Sequence, residues 1–92
     1  MGNFRGGSAS AMARQVSDGY VLVNAMMLKR FTVAELDSLL FEMDRLLRSI
    51  RGEQPSLDDS QALQLRNRKI SRIDSAIRTV RHSVNERKRG RG

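Results

Sequence analysis

The chain has 92 residues, with 17 lysines and arginines against ten acids, one histidine and no cysteine. A domain of this size has a thin core, and it usually needs a disulfide, a metal or a partner. The composition excludes disulfides, thiolate nucleophiles and Cys- or His-cluster metal sites, so a protein partner is the expected support. The net charge of +7 further indicates a polyanion or an acidic protein surface.

Residues 1–19 are rich in glycine, serine and alanine. Their larger apolar side chains are Phe4, Met12 and Val16. This composition buries too little apolar surface to offset the entropy lost on ordering. We therefore predict a flexible N-terminal arm, which would become ordered on a neighbouring subunit in an assembly.

The segment 20–30 is ambiguous. Its first four residues have the β-branched, apolar composition of a short buried strand. Its second half favours a helix with basic residues at the C-terminal end. The simplest prediction is one short helix over about residues 18–30, with Ser17 or Asp18 as N-cap. A strand is the alternative.

A helix is predicted over residues 33–51. Thr32 and Glu35 form a capping box, in which each side chain accepts a hydrogen bond from the other residue's amide. Gly52 is expected at the C′ position, and Pro55 prevents continuation of the helix. The apolar positions step by three and four residues, as in coiled-coil packing. This seam consists of Leu36, Leu39, Met43, Leu46 and Ile50.

A second, longer helix is predicted over residues 56–88, with Ser56 as N-cap and Asp59 in its first turn. Its apolar seam is formed by Leu63, Ile70, Ile73, Ile77, Val80 and Val84, with Arg66 at one inward position. The two capped helices predict an all-α fold, an antiparallel αα-hairpin of unequal helices. The single domain would span residues 20–89, and residues 90–92 would end a basic tail.

The longer helix extends beyond its partner by roughly 20 Å at 1.5 Å per residue. An apolar seam on this overhang must be covered, because exposed apolar patches are interaction sites. Either segment 20–30 folds back and makes a three-helix unit, or another chain covers the overhang. Phe41 lies opposite the first seam and is either a solitary exposed aromatic or a second contact surface. The predicted partner interface is Phe41, Ile77, Val80 and Val84.

The positive charge is concentrated near the C-terminus. Residues 66–92 carry ten bases and two acids, whereas residues 1–65 carry seven bases and eight acids. Arginine predominates, which favours forked contacts with phosphate or carboxylate groups. The predicted contacts with nucleic acid or with an acidic surface are Arg66, Arg68, Lys69, Arg72, Arg78, Arg81, Arg87, Lys88, Arg89 and Arg91.

Three interpretations of this basic stretch are open: contact with nucleic acid, contact with an acidic protein surface, or a solvated helix face. A solvated face is expected to mix charges of both signs, so the single sign favours nucleic acid. The stretch contains no aromatic residue to stack on bases. We therefore expect contacts with backbone phosphates that do not depend on sequence.

Little in the sequence supports catalysis. His82 lies on the outer face of the last helix without a positioned carboxylate nearby in sequence, and Asp58 and Asp59 are explained by helix capping. Gly6 and Gly7 lack the preceding strand and the following Lys-Ser/Thr of a phosphate-binding loop. We predict a non-catalytic protein with no cofactor, metal or small-molecule substrate.

These patterns predict a structural or assembly subunit of a nucleic-acid-containing particle, either a phage-type virion or a ribonucleoprotein. Its other partners would be protein subunits, copies of itself or different chains. The alternative is a regulatory or adaptor module that binds one protein through its apolar seam. No apolar run reaches the ~20 residues of a membrane span. We expect a location in the cytoplasm, or within a particle assembled there.

Overall fold

The fold is built around two long helices that pack against each other. In the computed structural model, which describes residues 8–90, the elements are α1 (Ala9–Ser17), α2 (Ala25–Leu28), α3 (Val33–Gly52) and α4 (Ser60–Gly90). The described part of the chain contains no strand. The long helices α3 and α4 pack together, α1 packs against both, and α2 contacts α4. The predicted all-α hairpin is therefore confirmed, within an elongated molecule of 52 × 25 × 19 Å.

The start of α3 is set by the predicted capping box. The Thr32 amide donates to Glu35 Oε1 over 2.9 Å, and the Glu35 amide donates to Thr32 Oγ1 over 3.0 Å. The helix ends differently from the prediction, because Gly52 is its last residue and has no positive φ. The chain leaves through Glu53 in an extended conformation.

The α3 seam is buried as predicted except at one position. Leu47 is buried, whereas Leu46 is only partly buried against the core. At about 100° per residue, Leu46 and Leu47 lie on opposite margins of the buried stripe. The core covers the margin with Leu47 more completely than the margin with Leu46.

The start of α4 lies four residues later than predicted. The Ser56 hydroxyl accepts a hydrogen bond from the Asp58 amide over 3.3 Å, so it closes a local turn. Asp59 is the residue that caps α4, because its carboxylate accepts from the Ala62 amide over 3.0 Å. Leu57 is 88% exposed. Leu57 therefore makes little contact with the core and does not hold the residues before Asp59 in a helix.

The prediction of a flexible arm is wrong for residues 9–17, which form α1. Ser8 caps this helix by accepting a hydrogen bond from the Ala11 amide over 3.0 Å. Met12, Ala13 and Val16 are buried on one face and belong to the core. The composition of residues 9–17 suggested too little apolar surface for an ordered helix. The helix is ordered because α3 and α4 supply most of the apolar surface that covers it. Residues 1–7 of the predicted arm lie outside the described part of the chain.

A glycine in the left-handed region ends α1. Gly19 has φ of 86°, its amide donates to Val16 O over 3.1 Å, and the Tyr20 amide donates to Gln15 O over 2.9 Å. These two bonds define a Schellman motif, which satisfies carbonyls at the helix end. The motif turns the chain sharply away from α1 and directs it across α4.

The single helix predicted over residues 18–30 is not present. Residues 21–24 have no regular secondary structure, Asn24 is in an extended conformation, and only Ala25–Leu28 is helical, as α2. Asn24 caps α2, because its side chain accepts from the Met27 amide over 2.9 Å. Val23 and Leu28 are buried in the core. The segment therefore covers α4 through a few inward side chains, without a continuous helical face.

The overhang of α4 is covered by the chain itself. Ile77, Val80 and Val84 are all buried in the same core as α1 and Leu28. The prediction that these three residues form a partner interface is therefore wrong, because they are not accessible. Phe41 remains exposed, at 63%. None of the described helices combines the length and apolar character needed to cross a membrane.

Substituting Gly19 with alanine tests the turn after α1. A Cβ at this position would lie 3.0 Å from Arg72 Cζ, in a backbone conformation that is strained for alanine. We expect Gly19→Ala to lower the free energy of unfolding by about 1–3 kcal/mol, measured by urea unfolding with circular dichroism.

Gly52→Ala is the matched control. A Cβ there meets no atom within 4 Å, and the residue is helical. We expect this variant to be as stable as the parent or more stable, by up to about 1 kcal/mol. Equal destabilisation by both variants would contradict the assigned role of Gly19.

Candidate nucleic-acid interface

The predicted basic residues mostly belong to α4, and the structure divides them into two groups. Arg91 lies outside the described residues, and the other nine lie on α4. Some turn inward and bind backbone carbonyls of other helices, whereas others remain on the outer surface. The two groups have different consequences for function.

Arg66 binds the C-terminal end of α3. Its Nε donates to Ile50 O and to Glu53 O over 3.2 Å each, and its Nη2 donates to Arg51 O over 2.9 Å. The last carbonyls of a helix have no intrahelical partner, and they carry the negative end of the helix dipole. Arg66 therefore caps α3 and joins the two arms of the hairpin at their common end.

Arg72 performs the same role at the end of α1. Its Nη1 donates to Ser17 O over 3.0 Å. Lys69, one turn earlier, lies with Nζ 3.8 Å from Asp18 Oδ1, beside the same helix end. The Arg72 guanidinium also lies close to Gly19, and a Cβ at that position would be 3.0 Å from Arg72 Cζ, so the guanidinium would have to shift. Gly19, which ends α1, and Arg72, which caps it, therefore lie side by side.

Arg87 binds the turn that follows α2. Its Nη1 donates to Phe31 O and its Nη2 donates to Leu28 O. Both carbonyls lie between the end of α2 and the start of α3. This contact holds the connection against the C-terminal part of α4.

These contacts assign Arg66, Arg72 and Arg87 to the fold. All three are partly buried, and each uses its planar set of donors on carbonyl groups. The sequence contained one signal for this role: Arg66 occupies an inward position of the α4 seam. The other two arginines had no such signal, because their carbonyl partners lie more than fifty residues away.

The second group of cations is exposed on the outer surface of α4. Arg78 Nη1 lies 3.3 Å from Asp74 Oδ2, and Arg89 Nη2 contacts Glu86 Oε2. In each pair the two residues are about one helical turn apart. Exposed pairs of this kind are weak, so both arginines remain available to a ligand. Among the described residues, Arg81 and Lys88 have neither an ion pair nor a hydrogen bond from their side chains.

Four of these cations form one continuous surface, which we call the α4 basic face: Arg78, Arg81, Lys88 and Arg89. At 100° per residue they lie within roughly a third of the helix circumference, and they span about 16 Å along the axis. His82 and Asn85 lie between them and are also exposed. Around the helix, the centre of this face lies roughly 100° from the centre of the buried side that carries Ile77, Val80 and Val84.

A carboxylate lies beside His82, contrary to the expectation that none would be positioned near it in the sequence. The His82 side chain is largely exposed, with Nε2 4.0 Å from Glu86 Oε2. Within residues 8–90, no group of acidic or histidine side chains could hold a metal ion.

A comparison of Arg87 with its neighbour tests the capping role. We expect Arg87→Gln to lower the free energy of unfolding by about 1–3 kcal/mol, because two buried carbonyls lose a charged donor. Lys88→Gln removes the same charge from an exposed position, and it should change stability by less than about 0.5 kcal/mol. Urea unfolding of both variants measures the difference. Equal effects would mean that general charge, rather than capping, determines stability.

The chain was compared with models of protein families, with curated proteins and with solved structures. None of the three comparisons finds a match. Any proposal about function must therefore be derived from the charges, contacts and exposed surfaces of this molecule.

Proposed function

We propose that this protein is a non-catalytic structural or assembly subunit of a nucleic-acid-containing particle, a phage-type virion or a ribonucleoprotein assembled in the cytoplasm. It binds the phosphate backbone through the α4 basic face. The observation that carries the proposal is the separation of roles on α4. Its inward arginines hold the fold together, whereas four outward cations have no structural task.

The chemistry of the face favours phosphate. Arginine and lysine side chains are the principal ligands of nucleic-acid phosphates, and their contacts carry no sequence information. Residues 60–90 contain no Phe, Tyr or Trp side chain for stacking on bases, and His82 carries the one aromatic ring in this range. The face is convex and lies on one rigid helix, so it suits a groove edge or a single backbone strand. Binding is therefore electrostatic and strongly dependent on salt.

Contacts with other subunits would use a different surface. Phe41 lies on the outer side of α3 and is exposed, so a protein neighbour can cover it without disturbing the hairpin. The alternative function is an adaptor that binds a partner through the apolar seam, but this seam is buried in the core. That seam is closed by α1, α2 and their connection, and a partner could reach it only by opening the core.

Charge removal on two faces tests the proposal. We compare Arg78→Gln/Arg81→Gln/Lys88→Gln with a control of equal charge change, Arg45→Gln/Arg48→Gln/Arg51→Gln. The control arginines are exposed on α3, and two of them also pair with acids along their helix. The Kd for a fluorescent DNA duplex and for a single-stranded RNA is measured by anisotropy over a range of salt concentrations. Circular dichroism confirms that each variant is folded.

We expect the α4 triple variant to weaken binding by at least about tenfold near 0.05 M salt. The loss of three phosphate contacts should also make the negative slope of log K against log salt shallower by about three. The α3 triple variant should retain nearly all of the parent's affinity at 0.1 M salt, where the screening length is about 10 Å. Equal losses in the two variants, or a parent protein that binds neither probe, would contradict the proposal.

A further inference from the structure

A short segment with exposed apolar side chains follows Gly19 and continues into α2. Tyr20, Leu22 and Met26 are 83%, 85% and 75% exposed. Val21 is partly buried and Val23 is buried, so residues 21–24 alternate between core and solvent. This two-residue period is that of a strand with one covered face.

The backbone of this segment is largely unpaired. The Val21 amide donates to Gln15 O over 3.3 Å, as part of the turn after α1. The amides and carbonyls of Leu22 and Val23 make no hydrogen bond with any other described residue. Non-helical residues with free backbone donors and acceptors can pair with a strand of another chain.

A groove of about 450 Å³ lies between this segment and α4. Val16 and Ala76 contribute its apolar lining, and Ser71, Ser75 and Thr79 contribute hydroxyl groups from α4. Residues 21–23 line the opposite side. A peptide lying in the groove is thus beside both the unpaired backbone and the hydroxyl-bearing side of the helix.

One end of the groove is positively charged. Arg72 lines it, and uses only one of its donors on Ser17 O. Arg68 lies one helical turn before Arg72 on the same row of α4, and it is exposed without a partner among the described residues. The nearby acid, Asp18, is paired with Lys69. A ligand with carboxylates is therefore favoured at this end.

We propose that the groove binds an extended, acidic segment of a partner protein, which pairs as a strand with the backbone of residues 22 and 23. Apolar side chains of that segment pack on Leu22 and Ala76, and a carboxylate contacts Arg68 and Arg72. A second copy of this chain is disfavoured because each copy carries +7. Nucleic acid lacks the alternating amide donors and acceptors that an unpaired strand edge requires.

The probe is a blocked seven-residue peptide of alternating glutamate and valine, titrated into uniformly ¹⁵N-labelled protein and followed by NMR. We expect saturable shifts of the Leu22 and Val23 amide signals with Kd below about 1 mM. Amide exchange at these two residues should slow on saturation. The same peptide with lysine in place of glutamate should bind at least tenfold more weakly.

Two variants locate the site, and one serves as a matched control. Leu22→Asp and Arg68→Glu should each weaken peptide binding by at least fivefold, because both add repulsion at exposed positions. Leu57→Asp introduces the same change at an equally exposed leucine in the turn before α4, and it should leave the Kd unchanged. None of the three positions is buried, so the fold should be retained.

Three results would overturn the proposal. The first is no shift of the Leu22 and Val23 signals at about 2 mM peptide, well above the expected Kd. The second is concentration-dependent shifts of the same signals without peptide, which would identify a second copy as the occupant. The third is equal loss of binding in Leu57→Asp, which would place the peptide elsewhere. The α4 basic face is unchanged in all three variants, so nucleic-acid binding is tested independently.

Discussion

The structure depends on the way that one helix satisfies the ends of the others. The last carbonyls of a helix have no partner within it, and those of α1 and α3, together with the turn after α2, all meet α4. Arg72, Arg66 and Arg87, respectively, donate to these carbonyls. A guanidinium carries five donors in a rigid plane, so one side chain can bind two or three carbonyls at once. Because all three arginines come from α4, this helix supplies hydrogen-bond donors to the C-terminal ends of the other three helices.

This arrangement gives the high positive charge two separate explanations. Part of the arginine content of α4 is structural, and it would be needed in a protein with no anionic ligand at all. Three further arginines lie on the α4 basic face, where the ion pairs of Arg78 with Asp74 and of Arg89 with Glu86 are exposed and weak. Net charge alone therefore overstates the surface available to nucleic acid. The distinction between inward and outward cations is what makes the proposed interface specific to one face.

The two proposed binding surfaces differ in physical character and lie on different parts of the molecule. The α4 basic face is convex and charged, and it suits a polyanion without sequence preference. The groove beside residues 21–23 combines an apolar lining, hydroxyl groups and an unpaired backbone. It suits a peptide strand, whose amides can complete the hydrogen bonds that this segment lacks. A subunit with both surfaces could join nucleic acid to a protein neighbour.

The local sequence determined the elements whose signals lie within a few residues of each other. The capping box of Thr32 and Glu35, most of the seam of α3 and the presence of a turn between α3 and α4 follow from spacing and side-chain chemistry, although the bounds of that turn do not. Ser8, Met12, Val16 and Gly19 also carry a local signal for α1, since together they form a capped amphipathic helix with a C′ glycine. Other features were decided by the tertiary structure alone. The burial of Ile77 and Val84, the carbonyl partners of Arg72 and Arg87, and the groove beside Leu22 all join residues far apart in the chain. Whether an apolar side chain is a core residue or a docking surface, and whether an arginine is a cap or a ligand, depends on what folds against it.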